Sequence, residues 1–318
     1  MFNLAIIGLG KWGQTLVKSV QNKSKITKFT SVVSRNPEKI SKISKQLNLK
    51  TFKTVEDAIK NSKVDGIVMC TPHSTHEKDI INLTKFKKPI FVEKPLALNY
   101  LSAKKIINAC KKKKIILAVG HNRRFLNTYN FLKKIINNKK FGKITHLEGS
   151  FSGKSSFKGS EKSWRNTIKE TPLGGMTGKG IHITDLMINL TGGFKKIISR
   201  SKNQLRNTNL DDTTDLLIEF KNGATGYLST ILATVKYWEI KVFGSNGWIK
   251  IEDEKKLSYK IGDNEVKRPN IKFEDIEKLE LEAFAKSSIY KTKFPVDLKE
   301  VLENTRLFEE AVRLKNKF

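Results

Sequence analysis

Glu93-Lys94-Pro95 closes a short run, Pro89-Ile90-Phe91-Val92, whose β-branched and aromatic residues read as a strand and whose acid, base and proline read as its abrupt stop. A lysine there is placed for chemistry. Ligands of open α/β folds collect at the carboxyl edge of a parallel sheet, and a lysine at that edge can bring a charge or a proton to them. Taken alone, the heptapeptide reads first as a solvated surface lysine in a lysine-rich chain. A second centre is Leu173-Gly174-Gly175-Met176-Thr177-Gly178-Lys179-Gly180-Ile181-His182-Ile183-Thr184-Asp185. Its glycines would let backbone approach a bound ligand, and His182 and Asp185, three residues apart, share one helix face. His182 is the histidine of this chain suited to proton transfer; the plain alternative is a hydrogen-bonded core histidine.

The elements that would position these residues begin at the N-terminus. Asn3-Leu4-Ala5-Ile6-Ile7 is a continuous apolar run of buried-strand type, followed at once by Gly8-Leu9-Gly10-Lys11-Trp12-Gly13 and by Trp12, Leu16, Val17 and Val20 at helical spacing. Strand, GxGxxG, helix is the context in which that motif signifies dinucleotide binding. Gly8 permits the tight turn, Gly10 the approach of a pyrophosphate, and Gly13 the packing of helix on strand. About 20 residues further on, where an acid would grip the ribose 2′-hydroxyl of NAD, the second strand ends in Ser34-Arg35. A small hydroxyl with a guanidinium favours NADP over NAD, because no carboxylate repels a 2′-phosphate and a cation can hold it. Arg35 stacked on an adenine or turned to water is the alternative.

Helices are expected over 37–47, from 55, over 77–86 and over 100–112, with strands over 29–33, 64–70, 89–93 and 115–119 between them. This alternation predicts a doubly wound parallel sheet. Thr71-Pro72-His73 ends one strand, and Ser74-Thr75-His76-Glu77 fits a capping box with Ser74 as N-cap. His73 and His76 lack a third ligand nearby, so a helix start beside the cofactor is preferred to a metal site. After Arg124 the periodicity changes. A helix over 126–137, an alternating strand over 144–151, a hairpin through Asn222-Gly223, strands over 238–244 and 247–251, and closing helices over 274–288 and 296–315 predict an open, mainly antiparallel sheet with helices on one face. The expected organisation is a Rossmann domain over 1–121 and an α+β substrate-binding and oligomerisation domain over 122–318.

Gly8-Leu9-Gly10-Lys11-Trp12-Gly13, Thr71-Pro72 with His76, Glu93-Lys94-Pro95 and Gly120-His121-Asn122-Arg123-Arg124-Phe125, in this order and spacing, resemble the glucose-fructose oxidoreductase, inositol dehydrogenase and related (Gfo/Idh/MocA) family. Ser163-Trp164-Arg165 and the Gly-Gly … Gly-x-His-x-x-Asp segment ending at His182 and Asp185 are similar to further family segments. The resemblance implies hydride transfer between NADP or NAD and a sugar, cyclitol or sugar acid. It implies cofactor contacts from Gly8, Gly10, Lys11, Trp12, Gly13, Ser34, Arg35, Thr71, Pro72, His76, Glu93 and Lys94, with Lys94 and His182 handling the hydroxyl proton. Arg124, Trp164, Arg165, Lys179, His182 and Asp185 would contact substrate, and the cationic ones favour an anionic group on it. Family members pair through the open sheet face, which implies a homodimer or homotetramer. One departure stands out: Gly178 occupies the position where many dehydrogenases of the family carry an aspartate. Either Lys94 and His182 act alone, or Lys179 or a neighbour substitutes, or the protein is a cofactor-binding sensor or structural protein that oxidises nothing.

Composition narrows the classes further. At 318 residues the chain can bury two cores, and its 38% hydrophobic content is distributed in periodic blocks. The first nine residues hold an apolar run too short for a membrane span and lack a basic lead or cleavage site, so neither signal peptide nor anchor is expected. Cys70 and Cys110 lack metal-ligand spacing and suit a reducing cytoplasm. The formal charge of +30, from 61 basic against 31 acidic residues, is spread as lysine through every segment. Without an aromatic-interleaved basic patch or a helix-turn-helix, it predicts salt-sensitive sticking to nucleic acid and no specific binding.

Overall fold

The computed structural model describes residues 1–154, 164–205 and 209–317, which divide into two compact units. The first comprises Met1–Ala97, Leu101–Asn122 and Asp275–Leu298. Its six strands, β1 (Phe2–Ile7), β2 (Thr27–Val33), β3 (Lys50–Phe52), β4 (Gly66–Met69), β5 (Ile90–Glu93) and β6 (Leu117–Gly120), lie in the order β3-β2-β1-β4-β5-β6, and all pairs are parallel. The apolar runs of β1, β4, β5 and β6 are buried along nearly their whole length, as strands covered on both faces must be. Helices α1 (Lys11–Val20), α2 (Pro37–Gln46), α3 (Val55–Asn61), α4 (His76–Leu83) and α5 (Tyr100–Lys112) make the crossovers. Lys111 and Lys112 end α5 and Lys113 and Lys114 follow it in a turn, all four exposed.

A single cut at 121/122 misplaces two segments, of which the short one, Leu98–Tyr100, belongs to the second unit. Residues 275–298, with α8 (Ile276–Tyr290), belong to the first unit although they follow most of the second in sequence. Phe284 of α8 is fully buried, its ring 6.1 Å from that of Phe2 and 5.7 Å from that of Phe91. Ser24 also donates to Glu282 at 2.7 Å.

The second unit is built on a seven-stranded sheet: β7 (Ile144–Ser152), β8 (Phe194–Lys202), β9 (Thr213–Phe220), β10 (Thr225–Ile231), β11 (Tyr237–Gly244), β12 (Gly247–Glu252) and β13 (Lys256–Ile261). The order is β13-β12-β11-β7-β10-β9-β8, antiparallel throughout except for β10 on β7. The Asn222-Gly223 hairpin forms, with Gly223 at φ +88° and Asn222 Oδ1 accepting from the Ala224 amide. On the covered face α7 (Ile181–Thr191) is buried at nine of its eleven residues. Gly149 of β7 makes this possible, since a Cβ there would stand 2.3 Å from Ile183 Cγ2. The helices α6 (Asn127–Ile136) and α9 (Leu298–Arg313) flank α7. Thr184 donates to Asn304 Oδ1 at 2.6 Å, and Tyr129 donates to Asn189 Oδ1 at 2.7 Å.

Phe284→Ala should cost about 3–5 kcal/mol in urea unfolding, the usual loss for a buried phenylalanine. A loss below about 1 kcal/mol would show that the 275–298 segment does not share the core of the first unit.

Candidate active site

In the first unit the functional side chains gather where strands end. β1 runs into Gly8 at φ +96°, where a Cβ would lie 2.6 Å from the Cys70 carbonyl oxygen, so only glycine fits. Gly13 faces the Gly8 carbonyl so closely that a Cβ would stand 2.2 Å from it. Gly10 differs: nothing lies within 4 Å of the direction its Cβ would take. It precedes α1, whose N-terminus has no side-chain cap. Open space over uncapped helix amides fits a pyrophosphate. Lys11 is exposed and Trp12 half-buried beside this turn. At the end of β2, Ser34 is half-buried, its hydroxyl accepting from the Asn36 amide at 3.2 Å, while Arg35 is exposed.

The Thr71-Pro72 turn and the Glu93-Lys94-Pro95 turn are tied together by one side chain. His76 is fully buried, with Nδ1 3.1 Å from the Pro95 carbonyl and 3.2 Å from that of Leu96, and Nε2 3.2 Å from that of Thr71. Burial lowers its pKa. His76 therefore fixes two strand ends from within, which leaves it no ring nitrogen to offer a cofactor or a metal. The predicted capping box does not form. Residues 73–75 make a 3₁₀ turn, α4 starts at His76 without a side-chain cap, and Glu77 instead accepts from Ser102 and, at 3.0 Å, from Lys105. Two donors on α5 outcompete the amide of the N-cap residue.

Lys94 follows β5 through a cis Lys94–Pro95 peptide and is half-buried. Glu93 before it is 7% exposed. Its carboxyl is pushed up to about 7: burial raises it most and Glu277 of α8 adds to this, against the Trp12 indole and the Lys94 charge, which lower it. Trp12 Nε1 and Glu93 Oε1 are both buried without a hydrogen bond of ordinary geometry, so the indole acts on the carboxylate as a nearby dipole. Glu277 is held by Asn122 Nδ2 at 2.9 Å.

In the second unit the substrate-site candidates separate. Arg124 and Asp185 are spent on each other: Nε and Nη2 reach the Asp185 carboxylate at 2.6 and 2.9 Å, and Nη1 reaches Glu300 at 2.9 Å. Both are buried, and although burial works against the guanidinium charge, the two carboxylates raise the Arg124 pKa. Neither is placed to meet a ligand, because their hydrogen-bonding groups are turned into the interior. Ser163 lies outside the described residues; Trp164 and Arg165 follow it in a 3₁₀ turn, the guanidinium 4.1 Å over the indole.

Lys179 and His182 do come together, around the half-buried ring of Phe151 on β7. Lys179 Nζ is 5.4 Å from that ring and the His182 ring 5.9 Å, while Arg123, paired with Glu254 at 2.7 Å, stands 5.1 Å away. Lys179 rides on a π-helical turn, Met176–Gly180, and donates to the Gly153 carbonyl at 2.6 Å. Burial, then Lys236, lowers its pKa to about 8. The glycines expected to admit a ligand mostly admit protein. A Cβ on Gly174 would sit 1.9 Å from the Asp211 carbonyl oxygen, and one on Gly180 would sit 2.3 Å from Met176 Sδ. Among the described residues, Gly178 is the glycine of this segment with nothing within 4 Å of its Cβ direction. Phe151 was not singled out in the sequence; its place on an alternating strand is the signal that could have found it.

Strand order β3-β2-β1-β4-β5-β6, a glycine turn after β1 and a charged turn after β5 define an NAD(P)-binding Rossmann unit, here joined to an α+β unit. The chain belongs to the Gfo/Idh/MocA oxidoreductase family: residues 2–121 match its NAD-binding Rossmann fold and residues 129–250 its C-terminal domain. Among curated relatives, 2,7-anhydro-N-acetylneuraminate hydratase of Escherichia coli K12 is 26% identical over 265 residues, 79% of this chain and 68% of that protein. Myo-inositol 2-dehydrogenase of Thermotoga maritima is 28% identical over 141 residues, and the match spans 44% of this chain and less than half, 42%, of the relative. A putative NADPH-dependent oxidoreductase from Desulfitobacterium hafniense superposes with TM-score 0.91 at 22% identity, covering 98% and 95% of the two chains, which establishes the fold.

Glu93 holds its proton in the folded chain up to about pH 7, against 4.5 for an ordinary glutamate. The stability this proton contributes is full below the lower value and is lost as pH rises through the upper one. Glu93→Gln, neutral throughout, should match the wild type in urea midpoint near pH 4.5 and exceed it by up to about 3 kcal/mol near pH 8. An equal gap at both pH values would mean that Glu93 does not titrate in this window.

Proposed function

We propose that the protein transfers a hydride between NADP or NAD and a substrate of the sugar, cyclitol or sugar-acid type. The observation that carries this reading is Lys94 at the carboxyl edge of the same parallel sheet whose first crossover carries the dinucleotide turn. The relatives' names, a neuraminate derivative and an inositol, support the substrate class. Gly8, Gly10, Gly13, the α1 amides and Ser34-Arg35 hold the cofactor, which when bound supplies the hydride acceptor or donor. The chain's own task is the proton. In the oxidative direction Lys94 takes it from the carbinol, His182 is the second group assigned to that proton, and Glu93, buried beside Lys94, orients it by charge where it is ionised, above about pH 7. With glycine at 178, no carboxylate from that position shares the work. A reading as a cofactor-binding sensor rests on the same Gly178 and predicts cofactor affinity without turnover across a panel of polyols and sugar acids.

NADP is the preferred nucleotide because Ser34 and the exposed Arg35 present a hydroxyl and a cation where an acid would select NAD. The protein works in the cytoplasm as a homodimer or homotetramer. Ile198, Leu217 and Tyr227 support this assembly, since they are cross-strand neighbours on the open face of the sheet and 43%, 53% and 39% exposed.

Lys94→Ala should lower kcat by about 10²–10⁴-fold, the usual share of general acid–base catalysis, with cofactor affinity retained. Full turnover in that variant would sink the mechanism. Arg35→Ala should weaken NADPH by about 10–100-fold and leave NADH unchanged, the range of one charge-assisted contact. Equal losses for both nucleotides would place Arg35 on the adenine rather than the phosphate.

A further inference from the structure

We propose that Lys179 is the anchor for a single carboxylate on the ligand of the second unit, so that the substrate is a polyhydroxy acid and not a neutral sugar. This rests on the hydride-transfer reading for the ligand's class, but its argument lies wholly within the second unit. Lys179 is 9% exposed. Its Nζ has one hydrogen-bond acceptor, the Gly153 carbonyl, and one ring, Phe151; among the described residues no carboxylate lies within ion-pair distance of it. The other cations of this part of the unit are neutralised. Arg124 has Asp185 and Glu300, and Arg123 has Glu254. A lysine this enclosed with no counter-charge is costly to keep, and an anion delivered by the ligand would offset that cost.

The space for such a ligand is marked independently. A glycine is required where φ is positive or where a Cβ would come closer than 3.0 Å to a neighbour, and Gly120 and Gly175, at 3.0 and 3.1 Å, are crowded without meeting either condition. Among the described residues only Gly10 and Gly178 combine a φ outside the positive region with nothing within 4 Å of the Cβ direction. At Gly10 the room is what a dinucleotide needs. At Gly178 the room adjoins Lys179 on a π-helical turn, an irregularity that recurs at functional sites. The half-buried Phe151 ring offers an apolar face for the C–H side of a sugar chain, and His182 packs against the same ring. Charge counting selects the anion. One uncompensated ammonium balances one carboxylate, whereas a phosphate dianion would need a second cation, and the neighbouring Lys236 is already paired with Asp253 at 3.5 Å.

The test is calorimetric titration of the full chain, with oxidised cofactor saturating, using gluconate, galactonate and glucuronate against glucose, galactose, myo-inositol and glucose 6-phosphate. The wild type should bind at least one acid about tenfold or more tightly than its neutral counterpart, and Lys179→Met should abolish that preference by weakening the acids about tenfold or more relative to the neutral ligands. Lys179→Gln, which keeps a donor for the Gly153 carbonyl, gives the same comparison if the methionine variant does not fold. The proposal is overturned if the acid preference survives both substitutions, if neutral sugars bind best, or if the phosphate ester outcompetes the acids through Lys179. Acid binding without hydride transfer would defeat the oxidoreductase reading and leave the anchor standing; turnover of neutral polyols alone would do the reverse.

Discussion

Parallel strands impose a single constraint on the first unit: every strand-to-helix turn leaves the sheet at the same edge. Gly8, Ser34, Thr71, Glu93-Lys94 and His121 stand at that edge because β1, β2, β4, β5 and β6 all end there. The edge concentrates chemistry, and it also concentrates backbone carbonyls that have left the ladder and need partners. His76 meets part of that need, with three carbonyls around one imidazole from two turns. Burial lowers the pKa of this ring while the three carbonyls work against that shift, so the turns it holds govern where its protons sit. The turn that carries Lys94 is thus tied to the Thr71 turn by a buried histidine.

The second unit treats charge in two ways. Arg124, Asp185 and Glu300 join the residues just before α6 to α7 and α9, with Asn189 donating to Glu300 and Tyr129 donating to Asn189. In such a network the loss of one member leaves a buried charge uncompensated, so these residues are committed to the fold. Lys179 has no such commitment. It is the cation of that region whose balance is left to something outside the described chain, and this separates a ligand-binding lysine from a structural arginine in the same helical neighbourhood.

Sequence reading recovered what depends on local pattern. The two-face burial of β1, β4 and β5, the Asn222-Gly223 hairpin and α5 at Tyr100–Lys112 follow from periodicity and turn chemistry. It missed what depends on partners distant in the chain. The three-residue β3 is too short to show a period, β8 carries four cations on its exposed positions, and β13 has a single buried residue, Leu257. The return of 275–298 to the first unit is decided by Phe284 meeting Phe2 and Phe91, which no local pattern reveals. Ser74 and Glu77 had the spacing of a capping box, but Ser102 and Lys105 on another helix took the carboxylate.

Glycine shows the same limit at the level of the site. In sequence Gly174, Gly175, Gly178 and Gly180 are alike, and all were read as room for a ligand. In the structure Gly174 makes room for the Asp211 carbonyl, Gly175 for Thr230 and Leu232, and Gly180 for Met176 and Thr230. A residue without a side chain can be selected by the protein's own packing or by what the protein binds, and only the surroundings distinguish the two. Once the packing demands are subtracted, Gly10 and Gly178 remain, one in each unit, and each precedes a lysine. The lysines differ in the same sense as their settings: Lys11 is exposed to water at the first turn of α1, whereas Lys179 is enclosed beside Phe151. An exposed ammonium adds a screened attraction to any anion nearby, while an enclosed one discriminates, because a neutral ligand in its place would leave the charge buried and unanswered.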